Sequence, residues 1–199
     1  MPPRHSSIVI DDLVSRFSQI PQVGIAWIYC DYRDQTNQSL VNILGSILRQ
    51  FLRAVSTSHT LGQIEKILDS TKKSGTRVDI LQVLPMLKLT LSQMDCSFLC
   101  LDALDELVPQ TLVKLLQILQ SEFSSVRIFL TGRPHIQQII NDRLQIQDQN
   151  TITLEAHPED IRKYLKHQIQ LDRELNPEEM SLPLEEEILD LITQRSEGM

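Results

Sequence analysis

Three short, almost uninterrupted apolar runs constrain the fold of this chain more than any other feature. They extend from Val23 to Cys30, from Ser97 to Leu101 and from Val126 to Leu130. A strand with few polar residues on either face is typical of a parallel sheet whose two faces are both covered by helices. A fourth run, Thr151 to Leu154, is shorter and rich in β-branched residues, and we expect it to form a strand as well.

The segments between these runs have helical periodicity. Apolar residues recur at steps of three and four from Leu40 to Val55 and again from Leu112 to Phe123. The connection from 31 to 96 is long enough for two or three helices, with a loop near 70 to 77. An amphipathic helix from Ser6 to Phe17 precedes the first strand. Strands that alternate with helices predict βαβ units and an α/β fold with a parallel sheet.

The pattern becomes entirely helical after the fourth run. His157 to Asp160 is typical of a helix start, because proline suits the first turn and acidic residues there favour the helix dipole. A second helix is predicted from Leu184 to Ile192. We therefore expect an α/β domain over 1–155 and a helical extension over 156–199.

Charge and cysteine content exclude several classes of protein. The net charge of −7 and the pI near 5.2 argue against a surface that binds nucleic acid or anionic membranes. No run of about 18 apolar residues is present, so we expect no transmembrane span. Three cysteines, an odd number, are typical of a reduced protein without disulfides, and we expect a cytoplasmic location.

Carboxylates follow the second apolar run directly. Asp102 comes one residue after the run, and Asp105 and Glu106 come about one turn later. Because the carboxyl ends of parallel strands share one edge of a sheet, these side chains can reach a ligand bound there. Carboxylate oxygens can hold magnesium or orient an attacking water. The same residues also suit a turn and a helix cap, so the pattern alone leaves both interpretations open.

The third apolar run ends in an arginine. Arg133 follows Thr131 and Gly132 at the same expected edge of the sheet. A guanidinium at this position can bind a γ-phosphate and stabilise its charge, although a lone arginine is more often a surface residue or an ion-pair partner. Together with the acidic strand one βα unit earlier, Arg133 favours the functional interpretation of Asp102, Asp105 and Glu106.

These motifs resemble those of the NACHT class of signal-transducing P-loop NTPases (STAND proteins), and especially the nephrocystin-3-like N-terminal domains of large fungal NLR-like proteins. The motifs that carry the resemblance are Tyr29–Gln35, Leu101–Glu106, Phe129–His135 and Asp160–Leu165. The resemblance implies that Asp102 is the magnesium-binding Walker B aspartate and that Asp105 and Glu106 form the acidic pair near the attacking water. It also implies that Arg133 is the sensor arginine and that the ligands are Mg²⁺ with ATP or GTP.

The phosphate-binding Walker A loop of such domains is absent from these residues. None of the six glycines is followed by lysine, so the Gly-Lys-Ser/Thr ending of the loop is not there. In the family this loop comes immediately before the helix that corresponds to Ser6–Phe17. The strand that leads into the loop is the first and central strand of the family's sheet, and strands two, three and four lie on one side of it. We therefore expect an interior fragment of the domain, without its cofactor-binding loop and without useful nucleotide binding of its own.

Three interpretations of function follow. The first is a partial regulatory NTPase module, which by resemblance serves fungal non-self recognition and cell-death signalling. The second is a non-catalytic scaffold or decoy, whose partners are proteins, either further copies of itself or full-length relatives. The third is an active NTPase whose loop was lost from the gene model.

Overall fold

The computed structural model of the protein describes residues 4–55, 58–73, 75, 77–146, 150–154, 157–176 and 181–195. The chain forms two compact units, Met1–Gln147 and Asp148–Met199. The strands of the first unit are β1 (Val23–Tyr29), β2 (Cys96–Asp102) and β3 (Val126–Leu130). Its helices are α1 (Arg4–Phe17), α2 (Leu40–Phe51), α3 (Ser58–Lys73), α4 (Ile80–Leu91), α5 (Pro109–Glu122) and α6 (Gln137–Leu144). The helices of the second unit are α7 (Pro158–Leu175) and α8 (Leu182–Arg195).

The three strands form one parallel sheet in the order β1-β2-β3. Tyr29 lies opposite Asp102 at the end of the β1–β2 ladder, and Leu101 lies opposite Leu130 in the β2–β3 ladder. All three carboxyl ends therefore meet at one edge. The prediction of an α/β fold with a parallel sheet is confirmed: β1 lies within its apolar run, β3 coincides with its run, and β2 extends one residue beyond each end of its run.

The main core lies between one face of the sheet and helices α2, α4 and α5. Leu99 and Leu101 of β2 point into it, because alternate residues of a strand face the same side. Each such side chain contributes about 1.5–3 kcal/mol when it is fully buried. The largest fully buried side chains of this core are Phe51, Leu44, Ile47, Met86, Leu87, Leu99, Leu101, Leu104, Leu115, Leu116, Leu119 and Phe123.

The opposite face of the sheet is contacted by α1. Phe17, at the end of this helix, stacks on Phe98 of β2 with 5.1 Å between the ring centroids. The guanidinium of Arg127 in β3 also lies over the Phe98 ring, 5.4 Å from its centroid. Phe98 is therefore covered on this face by an aromatic ring and a guanidinium.

The outer edge of β1 is closed by glutamine side chains. Gln50 Oε1 accepts the Trp27 N–H at 3.1 Å, and Gln50 Nε2 donates to the Trp27 carbonyl at 2.8 Å. Gln38 makes the same kind of contact further along the chain: it accepts the Asp31 N–H and donates to the Tyr29 carbonyl. These amides occupy positions that a neighbouring strand would use, so further strand pairing on this side is blocked.

At the other edge of the sheet, no strand pairs with the outer side of β3 within the part of the chain that the structure describes. The run Thr151–Leu154 does not form a strand, so that prediction is wrong. Ile152 is 82% exposed and Leu154 is 69% exposed. β-branched residues favour a strand mainly through packing and pairing with neighbours, and these residues have neither.

The second unit is an antiparallel pair of helices. Arg162 near the start of α7 pairs with Asp190 near the end of α8 at 2.6 Å, and Arg173 pairs with Glu185 at 2.6 Å. Ile169 and Leu189 are buried on the facing sides. Within the described residues, no helix is long and apolar enough to cross a membrane.

Candidate functional site

The middle strand of the sheet ends in a buried carboxylate. Asp102 is only 2% exposed, although it is the last residue of β2. Its Oδ1 accepts a hydrogen bond from the Thr131 hydroxyl at 2.5 Å, and its backbone carbonyl accepts the Cys30 N–H at 2.9 Å. No partner for Oδ2 is found among the described residues, so one carboxylate oxygen is available to a ligand.

Thr131 connects this carboxylate to the backbone of the next residue. Its hydroxyl oxygen accepts the Ala103 N–H at 2.9 Å while the hydroxyl proton goes to Asp102. Ala103 has φ 55° and ψ 49°, in the left-handed region that residues other than glycine seldom adopt. The Thr131 contact therefore helps to hold a sharp turn directly after β2. The sequence pattern placed Thr131 only as a neighbour of Arg133, although a hydroxyl one position beyond an apolar run was a usable signal.

Asp105 lies in the short 3₁₀ turn Leu104–Glu106 and faces Arg133. Its side chain is 7% exposed, and Oδ2 lies 3.4 Å from Arg133 Nε. Oδ1 accepts the Arg133 backbone N–H at 3.2 Å. A Cβ at Gly132 would lie 2.5 Å from Ile136 Cδ1, so glycine permits the close passage of this loop beside the buried isoleucine. One carboxylate thus binds both the backbone and the side chain of Arg133.

Glu106 faces the loop that follows β1. Its Oε2 accepts the Tyr32 N–H at 3.0 Å. In the same loop, Asp31 caps its own turn by accepting from Arg33 N–H, and it forms an ion pair with the Arg33 guanidinium at 2.7 Å. The hydrogen bonds of Arg33 lower the pKa of Asp31 to about 2. The β1 loop is therefore attached to the β2 loop through a backbone hydrogen bond to Glu106.

The structure brings Asp102, Asp105, Glu106 and Arg133 to one edge of the sheet but gives the carboxylates different partners. The described residues contain no cluster of three or more metal-ligating side chains. This arrangement suits Mg²⁺ only in the form that keeps most of its own waters and binds one or two carboxylates together with phosphates. Asp102 Oδ2 fits that requirement, because it is a hard oxygen donor without another partner.

A cavity of about 590 Å³ lies beside Asp105, Glu106 and Arg133, whereas Asp102 is not among its lining residues. Its walls include Tyr32, Asp105, Glu106, Arg133 and His135. The Arg133 side chain is 75% exposed despite its contact with Asp105. The cavity therefore combines two carboxylates with a guanidinium that can move at small cost, because exposed ion pairs contribute only about 0–1 kcal/mol.

The Cys30 thiol lies close to the carboxylates of this edge, and its pKa is raised. Burial, together with the smaller effect of the negative charges of Asp102, Glu106 and Asp105, raises its pKa to about 12. Burial also raises the pKa of Cys100 to about 11. A thiol whose pKa is higher in the folded than in the unfolded protein stabilises the fold below pH 9, and this contribution is lost as the pH rises towards 12.

We expect Cys30 to be the least reactive thiol in the folded protein. At pH 8 its thiolate fraction should be about a thousandfold below that of an unperturbed thiol, since each pKa unit changes it about tenfold. Timed alkylation with iodoacetamide and peptide mass spectrometry should show half-exposed Cys96 labelled first and Cys30 last. In urea the three cysteines should react at similar rates. Equal labelling of Cys30 and Cys96 in the folded protein would contradict this assignment.

Comparison with known proteins identifies the family. The family model described as "Nephrocystin 3, N-terminal" matches residues 5–133. That span begins in α1, contains the whole sheet and ends at Arg133, so it includes every residue of the predicted site. A search among curated proteins finds no match to the chain. The match covers about two thirds of the 199 residues, and the chain therefore belongs to the nephrocystin 3 N-terminal family.

Proposed function

We propose that these residues form part of a NACHT-type, nucleotide-dependent regulatory switch from a fungal NLR-like signalling protein. We further propose that they need a phosphate-binding loop from outside these residues to bind ATP or GTP. The observation that supports this most is Asp102, a carboxylate buried at the carboxyl end of the middle strand with one unpartnered oxygen. Burying a charged group is costly, and a ligand that requires the charge would explain its position.

The roles of the four residues follow from their contacts. Asp102 would hold Mg²⁺ through Oδ2 or through a bound water, while Thr131 keeps the carboxylate oriented. A bound Mg²⁺ would neutralise phosphate charge. Glu106 lies in the wall of the 590 Å³ cavity and would orient a water molecule there. Arg133 would exchange its contact with Asp105 for a phosphate oxygen, since guanidinium binds phosphate with charge-assisted hydrogen bonds.

The phosphate loop decides whether a nucleotide binds. Each charge-assisted hydrogen bond to a phosphate contributes about 1.5–3 kcal/mol, so a lysine and several backbone donors together contribute roughly 5 kcal/mol or more. That energy corresponds to a factor above about a thousand in affinity. Asp102 cannot replace it, because magnesium arrives with the phosphates. Switching by self-association, or by pairing with full-length relatives, would therefore depend on the loop.

The test is isothermal titration of two proteins with Mg-ATP and Mg-GTP. The first protein is the chain of 199 residues, and the second carries an added strand and Gly-x-x-x-x-Gly-Lys-Ser/Thr loop before α1. We expect no heat of binding at micromolar nucleotide for the first, and measurable binding for the second. Low-micromolar binding by the first protein would overturn the proposal about the loop.

Variants of the second protein test the individual roles. Asp102→Asn should weaken the dependence of nucleotide binding on Mg²⁺, and Glu106→Gln should reduce hydrolysis without changing binding. Lys114→Gln serves as the matched control, because Lys114 lies on α5 and does not line the 590 Å³ cavity. Normal hydrolysis by Glu106→Gln, or unchanged Mg²⁺ dependence in Asp102→Asn, would show that these assignments are wrong.

A second candidate function is a non-catalytic scaffold. The contacts of Asp105 with Arg133 and of Glu106 with Tyr32 favour it, because both acids already link loops of the first unit. In that case Glu106→Ala, which removes the acceptor of the Tyr32 N–H, would lower the melting temperature of the chain as given, and the loop-bearing protein would bind no nucleotide. The two titrations above therefore distinguish the scaffold from the switch.

A further inference from the structure

A second cavity lies on the opposite side of β1 from β2, at the outer edge of the sheet. Its volume is about 460 Å³, and β1, the β1 loop and α2 form its walls. Its lining residues are Trp27, Ile28, Tyr29, Asn37, Gln38, Asn42, Ile43, Ser46, Arg49, Gln50 and Arg53. None of these residues is acidic, although the chain contains 26 aspartates and glutamates. This composition is opposite in charge to that of the cavity beside Asp105 and Glu106.

The neutral polar groups of this edge cavity are held in place by the sheet. Gln50 and Gln38 each use the amide oxygen and one N–H on the backbone of β1 or of its following loop. An amide nitrogen carries two N–H groups, so each glutamine keeps one donor that the backbone does not use. Both acceptor oxygens are already engaged. The fixed glutamines therefore hold one further N–H donor each at a set position in this wall.

The charged groups of the edge cavity are two arginines. Arg49 lies in the last turn of α2, and Arg53 follows four residues later in the 3₁₀ turn Leu52–Ala54. Both are exposed, and neither has a carboxylate partner among the described residues. Four other arginines of the first unit contact an acidic residue, a cysteine or an aromatic ring: Arg16, Arg33, Arg127 and Arg133. Arg49 and Arg53 thus bring two positive charges, without an acidic partner in the described part of the chain, to a wall of neutral polar groups.

We propose that the edge cavity binds an anionic group, phosphate or carboxylate, carried by a small molecule or by an acidic side chain. Guanidinium groups form charge-assisted, two-point hydrogen bonds with both anions. The volume of the cavity lies within the range of small-molecule sites, about 300–1,000 Å³. This site is separate from the proposed nucleotide site, because the two cavities share no lining residue. The proposal therefore stands or fails independently of the nucleotide switch.

Isothermal titration calorimetry of the edge cavity gives a direct test. Inorganic phosphate is titrated into the 199-residue protein at constant ionic strength, with chloride as the reference anion. A tri-glutamate peptide is titrated in parallel as the carboxylate source. We expect saturable binding, at least about tenfold weaker in Arg49→Ala and in Arg53→Ala.

Arg143→Ala is the matched control. Arg143 is an exposed arginine in the last turn of another helix, α6, and it lines neither cavity. Arg49 also lies at the negative end of the α2 dipole, where a cation stabilises the helix. A purely structural role would lower the melting temperature of Arg49→Ala without changing its titration. We therefore measure melting temperatures of all variants with and without phosphate.

Each outcome decides the proposal. Saturation by phosphate that depends on both arginines supports an anion site for phosphate groups. Saturation by the peptide alone, with the same dependence, also supports the anion site and assigns it to an acidic protein segment. Absence of saturation by both probes, or saturation that is unchanged in both arginine variants, overturns it.

Discussion

Thr131→Val should lower the free energy of unfolding of the first unit by about 2–5 kcal/mol. Valine has nearly the shape of threonine, but it lacks the hydroxyl that accepts from Ala103 N–H and donates to Asp102. The substitution leaves the Asp102 carboxylate and the partly buried Ala103 N–H without this partner. A fully buried group would cost about 1–3 kcal/mol, so the sum stays below about 6 kcal/mol. Because a whole domain is stable by only about 5–15 kcal/mol, the loss should be easy to measure. Urea unfolding followed by circular dichroism gives the value.

Thr131→Ser provides the control for this experiment. Serine keeps the hydroxyl and loses one methyl group, so we expect a loss of about 1 kcal/mol or less. If Thr131→Val and Thr131→Ser were equally stable, the hydroxyl would not be the group that holds the turn after β2. The result also bears on function, because Thr131 orients the carboxylate to which we assign the magnesium ion.

Phe51→Ala should cost about 3–5 kcal/mol, the range for removing a fully buried phenylalanine ring. Phe51 is 0% exposed at the end of α2. A Cβ at Gly24 would lie 2.8 Å from its ring, so the helix and β1 are in close contact here. Truncation therefore opens a cavity between the helix and the strand. Urea unfolding should show a lower midpoint with an unchanged slope if the unfolded chain is unaffected.

Phe129→Ala is the comparison for that prediction. Phe129 is 37% exposed on the face opposite the main core, so its removal should cost clearly less than that of Phe51. Equal losses for the two variants would show that the contact between α2 and β1 contributes less than its burial indicates. Phe51→Leu should fall between them, because leucine refills part of the space.

The regular elements of the first unit were predictable because the apolar pattern within each segment indicates which of its faces is buried. Val23–Tyr29 and Cys96–Asp102 are apolar on both faces, and this pattern indicates a strand covered on both sides. Thr151–Leu154 has a similar composition but no strand beside it among the described residues, and it forms no regular element. A strand depends on a neighbour that lies far away in the sequence, whereas helix α5 satisfies its own backbone.

The positions of the candidate site residues were predictable, but their contacts were not. The sequence alone determined that Asp102, Asp105, Glu106 and Arg133 would meet at one edge, because parallel strands align their carboxyl ends. Only the tertiary structure decided that Thr131 orients Asp102 and that Asp105 and Glu106 hold neighbouring loops. It alone also brought Arg49 and Arg53 to the rim of a polar cavity at β1. The physical reason is the sequence distance over which each feature is decided. The apolar pattern of a segment and of its near neighbours in the sequence indicates a parallel strand, whereas a hydrogen bond between groups distant in sequence requires them to approach within about 3 Å.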